Sequence, residues 1–102
     1  MGDLDLATEV MEGFTNDVPR QIQALEGFLE SGDASAAERQ AHNIKGASAN
    51  VSAERLRKAA YDVEKRARDG DLARARSLMR ELEGQFTLVK EAMTHEIERR
   101  RG

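Results

Sequence analysis

The stretch RQAHNIKGASANVSAERL, Arg39 to Leu56, reads as the end of one helix, a corner and the start of the next. Before the corner, Ala37, Ala41 and Ile44 fall three or four residues apart, with Val51 continuing toward the core. That is the period of a helix burying one stripe. After it, Leu56, Ala60, Val63 and Ala67 repeat the pattern. Between them Asn50 or Ser52 must supply the turn, since Asn tolerates the left-handed conformation, and Ser52 is placed to cap the following helix. These two helices extend from about Ala34 to Ala49 and from about Ala53 to Arg68.

Working outward, two similar corners flank this pair: ESGDASAAE around Gly32-Asp33 and RDGDLARA around Gly70-Asp71. In each, Gly can end a helix in the left-handed region and Asp can cap the next one. A fourth corner is expected near Asn16 to Pro19, where Asn16 can cap and Pro19 is tolerated in a first turn. Three more helical segments follow. A short one covers roughly Leu4 to Phe14. Another covers about Asp17 to Ser31, with Val18, Ile22, Leu25 and Leu29 on one stripe. A long one runs from about Leu72 to near Arg100, carrying Leu72, Ala75, Met79, Leu82, Phe86, Val89, Met93 and Ile97. Short corners between long amphipathic helices make antiparallel neighbours. The expected fold is all-α, an antiparallel four-helix bundle with a short additional N-terminal helix lying across one end. The last helix should overhang, its far end frayed or meeting another chain.

Composition agrees. Apolar residues make up 39% and aromatics 4% of 102 residues, so the β-branched and aromatic runs of strands are missing. The length suits one domain over residues 1–102. The net charge of -3 argues against a nucleic-acid binder, whose domain is usually strongly basic. The basic triplet Arg99 to Arg101 is expected to close the last helix, where cations complement the dipole. No apolar run is long enough to span a bilayer, no signal-peptide core follows Met1, and in MGDLDL Leu6 stands where a myristoylation site needs Ser or Thr. With no cysteine, neither a disulfide framework nor a thiolate metal site is available. A cytoplasmic location without membrane contact is expected.

Residues three or four apart share a helix face. His42, Lys45, Gly46 and Ala49 therefore lie together, away from or at the border of the apolar stripe, with Glu38 and Arg39 one turn earlier. Imidazole is a nucleophile at neutral pH, because an ordinary histidine, with a pKa of about 6.5, is largely neutral there. Lys45 adds a flexible point charge suited to oxyanions. Gly46 costs about 1 kcal/mol against Ala inside a helix, and its missing side chain would let another protein's backbone approach the imidazole. A nucleophile, a cation and a flat approach suit docked phosphoryl transfer rather than a pocket for a small substrate. His95, whose neighbours are Glu91, Glu98 and Arg99, reads as part of an ordinary solvated face.

AHNIKGASANVSAERL, followed by DVEKRARDGD, resembles the histidine-containing phosphotransfer (HPt) domain of two-component phosphorelays. The pattern is His, any residue, an aliphatic, Lys, Gly, small residues, an aliphatic and a corner. The resemblance extends from the segment beginning near Asp17 to the last helix. It implies that His42 is the phosphorylated nucleophile, reacting through Nε2 and exchanging a phosphoryl group with the aspartate of a receiver domain. It implies that Lys45 stabilises the phosphoryl oxygens and Gly46 keeps the docking face open. Glu64 matches the position of a Glu or Gln that orients the histidine through its other nitrogen; an ion pair with Arg68 or Lys65 is the competing reading. Receiver docking falls to Glu38, Arg39, Asn43 and Ala49, and to the adjoining face near Gln21 and Phe28. Implied partners are response-regulator receivers or a hybrid sensor histidine kinase, approached by a monomer. The domain is then a phosphoryl carrier rather than an enzyme, binding no metal or cofactor of its own, with Mg²⁺ expected on the receiver. Ser52 departs from the family, which commonly has Gly there.

Two other readings stand beside this one: an HPt-like adaptor that docks receivers without chemistry, and a structural bundle pairing through its long last helix. A metal-binding bundle fails on its two separated histidines without a Glu-x-x-His pair. An ATP-using enzyme lacks a Gly-rich phosphate loop.

Overall fold

The structure is a computed structural model and describes residues 5–102. Four helices account for nearly all of it: α1 (Leu6–Ser31), α2 (Ala34–Asn50), α3 (Glu54–Arg68) and α4 (Leu72–Arg101). Among the described residues there is no strand. Each helix packs on two others, α1 on α2 and α4, and α3 on α2 and α4, so the four close into an antiparallel bundle of the expected class.

The core is built from the predicted stripes. Leu25, Leu29, Ala37, Ala41, Ile44, Leu56, Ala60, Val63, Ala67, Ala75 and Leu82 are buried almost completely, while Val51, Leu72, Val89 and Met93 pack half-buried against them. Buried Ser48 donates its hydroxyl to the carbonyl of Ile44 at 2.7 Å, which satisfies it inside the helix.

Three corners share one geometry. At Gly32-Asp33 the two amides donate to the carbonyls of Leu29 and Phe28; at Gly70-Asp71 they donate to those of Ala67 and Arg66. Both are Schellman endings with the glycine left-handed (φ 79° and 78°). The next residue is already the cap of the following helix: Asp33 accepts from the Ala36 amide at 3.0 Å and Asp71 from the Arg74 amide at 3.1 Å. The corner between α2 and α3 repeats the pattern without either residue. Ser52 takes the left-handed position (φ 59°), its amide and that of Ala53 bonding to Ala49 and Ser48. The cap is Ala53, which has no side chain to offer. Ser52 is therefore the turn residue rather than the cap, and Asn50 ends α2 inside the helix.

The additional N-terminal helix does not exist as a separate element. Its residues from Leu6 onward are the first turns of α1, capped by Asp5, which accepts from the Thr8 amide at 3.2 Å; Leu4 lies outside the described residues. Pro19 sits inside α1. An interior proline costs on the order of 3 kcal/mol, but breaking the helix would expose a stripe that runs through it, Phe14, Val18, Ile22 and Leu25, all buried.

With 26 and 30 residues, α1 and α4 outreach α2 and α3, with 17 and 15. The two long helices continue together past the Ser52 corner, which gives the molecule its 51 Å length. There Phe14 and Phe86 meet with ring centroids 6.0 Å apart. Arg100 pairs with Asp5 at 3.1 Å, and Arg101 pairs with Glu12. The far end of α4 thus meets the chain's own α1. Arg99 and Arg100 also clamp Glu96 and pull its carboxyl down to about 2.

Candidate functional site

The site lies on the seam between α2 and α3. Leu56, Ala60, Val63 and Ala67 turn one face of α3 to the core, and Glu64, next to Val63, faces α2 at the edge of that face. Its side chain is only 4% exposed, whereas that of His42 is 63% exposed. The imidazole therefore stands in solvent with one buried carboxylate behind it. Nδ1 of His42 lies 3.0 Å from Oε2 of Glu64. An ionised carboxylate can only accept, so Nδ1 carries the proton and donates it to Glu64. Nε2 is left with its lone pair.

Lys45, one turn after His42, is mostly buried, with its ammonium 2.8 Å from Oε1 of Glu64 and 5.4 Å from the centroid of the Tyr61 ring. Arg68, one turn after Glu64, bridges two carboxylates. Its Nη2 donates to Glu64 Oε2 at 3.2 Å and its Nε donates to Glu38 Oε2 at 3.0 Å. Glu64 thus makes the contacts of both readings, one to the histidine and one to Arg68, though from a buried position rather than on the surface. Burial alone would raise the Glu64 carboxyl, but the contacts from Lys45 and His42 outweigh it and hold it below the usual glutamate range. Glu64 is accordingly a fixed negative charge at neutral pH.

The structure brings His42, Lys45 and Glu64 into direct contact. Glu38 is half-buried and turned to Arg68. Arg39 points elsewhere and donates to the Ser35 hydroxyl at 2.8 Å. Asn43, Gly46 and Ala49 are exposed on α2 beside His42. A Cβ built on Gly46 would meet nothing within 4 Å, but the same holds at Gly13, Gly27 and Gly84. What singles Gly46 out is its place one turn beyond the imidazole. Phe28 packs half-buried against the core, and Gln21 is half-buried on α1. Sequence reasoning had Arg68 only as a competing ion-pair partner of Glu64, and missed its bridge to Glu38 and the place of Tyr61 beside Lys45. The i,i+4 spacing of Glu64 and Arg68 was legible; the approach of Glu38 from another helix was not.

The arrangement could carry a group on the ring. Nδ1 of the imidazole is held by Glu64, a cation stands one turn away, and the surroundings are open surface. Comparison with known proteins agrees. The family model described as Hpt domain matches residues 9–100. The crystal structure of histidine-containing phosphotransfer protein B (HptB) from Pseudomonas aeruginosa PAO1 is similar to this chain, with a TM-score of 0.87 and 32% sequence identity over 90% of this chain and 80% of that one. No curated protein sequence matches.

Proposed function

Since the chain belongs to the histidine-containing phosphotransfer family and serves histidine phosphotransfer in phosphorelay signalling, we propose that His42 is the residue that carries the phosphoryl group. The observation behind this assignment is the 3.0 Å contact between Nδ1 and Glu64 Oε2, which reserves one nitrogen and leaves Nε2 free in solvent.

The step balances without any further reagent. The Nε2 lone pair attacks the phosphorus of a receiver's aspartyl phosphate, the N–P bond forms, and the acyl P–O bond breaks to release the aspartate carboxylate. The ring keeps its Nδ1 proton and becomes cationic. Glu64, already ionised, faces that new charge and stabilises it. Lys45 offers its ammonium to the phosphoryl oxygens. In reverse, the group passes to a second receiver. Mg²⁺ on the receiver would neutralise charge in the loose transition state. Hpt domains work with receiver domains and kinases of two-component systems. Here Asn43, Gly46 and Ala49, with Arg39 and Glu38, form the surface that a receiver would meet. The chain acts as one monomeric domain in the cytoplasm, a carrier rather than a catalyst; among the described residues no helix is long and apolar enough to cross a membrane.

The test is phosphotransfer from a phosphorylated receiver with Mg²⁺ to wild type and His42→Gln. An acid-labile, base-stable label is expected on wild type alone. Label of equal strength on the variant would refute His42, and docking without transfer to wild type would turn the assignment toward an adaptor.

A further inference from the structure

Glu64 has two oxygens and three neighbours. Lys45 faces Oε1, while His42 and Arg68 share Oε2. The role proposed above for Lys45, at a phosphoryl group on Nε2, draws its ammonium away from Oε1, where it now sits at 2.8 Å. When it turns outward, the carboxylate loses its only ammonium partner among the described residues while remaining almost wholly buried. A buried carboxylate stripped of its cations moves toward its neutral form, and a neutral Glu64 would no longer hold Nδ1–H or offset a cationic ring. Arg68 is built to prevent this. Its guanidinium is permanently charged and planar. Its Nε is held by Glu38 at 3.0 Å, and the neighbouring Nη2 reaches the same oxygen that His42 uses. With Tyr61 beside Lys45, these are the titratable groups the structure gathers around Glu64 from α2 and α3.

We propose that Arg68 is a positioning residue for phosphotransfer: braced by Glu38, it keeps the Glu64 carboxylate directed at His42 Nδ1 while Lys45 leaves for the phosphoryl group. This rests on the roles of His42 and Lys45 proposed above. It also recasts Glu38, which holds the brace in addition to any contact with a receiver.

Arg68→Gln tests it on the intact chain, with Arg57→Gln as a control; Arg57 makes a separate surface pair with Glu54 on the same helix. Arg68 is half exposed, so the variant should fold. Three quantities are read: affinity for the unphosphorylated receiver, single-turnover transfer from the phosphorylated receiver, and ¹⁵N shifts of His42 before and after phosphorylation. The expected result for Arg68→Gln is unchanged docking and transfer slowed about tenfold, the scale seen when an outer partner that orients an imidazole is lost. The His42 nitrogen shifts should also move, most of all in the phosphorylated form. Arg57→Gln should match wild type throughout. Wild-type transfer rates or unmoved nitrogen shifts in Arg68→Gln would overturn the proposal, as would a rate loss that merely follows weakened docking. If wild type itself takes no label, the assignment of His42 fails first and this inference falls with it.

Discussion

His42 and His95 are both exposed imidazoles in the middle or later turns of a helix, but the seams beneath them differ. Behind His42, α3 presents a buried carboxylate that takes Nδ1 and is itself held by Lys45 and Arg68. Behind His95, on the stretch where α4 runs beside α1 alone, no hydrogen bond or ion pair to the ring is found among the described residues. The two seams also treat their carboxylates in opposite ways. Glu64 faces cations and is held low. Glu26, on α1, is raised, first by burial and then by the carboxylate of Glu83 on α4. Exposure is common to both histidines; the fixed charge behind the ring sets His42 apart and supports the nucleophile role proposed for it.

The sharpest way to break that contrast is to remove the carboxylate. Glu64→Ala should slow phosphotransfer about ten- to a hundredfold, because the ring is then free to turn and to exchange tautomers, whereas His95→Gln should leave transfer at the wild-type rate. Single-turnover labelling measures both. Glu64→Gln also probes stability. A carboxyl whose folded value is lowered contributes stability above its unfolded value and loses it as the pH falls through the folded one. The variant should therefore be about 1–2 kcal/mol less stable than wild type near neutral pH, with the gap closing in acid. Denaturant melts across that range check it.

The same short seam carries the next effect. Ser52 holds a left-handed backbone that glycine holds at the other two corners. Ser52→Gly should stabilise by about 0.5–1 kcal/mol, a rise of a few degrees in Tm, without altering transfer. A lower Tm would mean that the hydroxyl does something the backbone geometry does not explain. The smallest effect lies on the long seam and has the opposite pH sign to Glu64. A carboxyl raised on folding favours the fold at pH below its unfolded value and loses that contribution as the pH rises through the folded one. Glu26→Gln should thus gain about 0.5 kcal/mol at neutral pH and nothing in acid.

How far these regions were legible in the sequence follows from the range of the interactions. The four stripes and both Gly-Asp corners are local signals, and they hold. The corner expected at Asn16 to Pro19 was weighed from capping and proline chemistry, while Phe14, Val18, Ile22, Leu25 and Leu29 kept one unbroken period across it. Burial of that stripe along α4 outweighs one missing hydrogen bond. At the site, His42, Lys45 and Gly46 were legible because one helix carries them, and Glu64 because its spacing from His42 matches the resemblance. The bridge from Arg68 to Glu38 was not, since it joins residues 30 positions apart on helices whose separation and rotation only packing decides.

The central claim is that Glu64 reserves Nδ1 and commits His42 to react through Nε2. Heteronuclear NMR of the ¹⁵N-labelled domain after phosphorylation by its receiver tests this directly. The prediction is phosphorus coupling to Nε2 of His42, with Nδ1 still protonated. Coupling to Nδ1, or phosphorylation of His95, would contradict it.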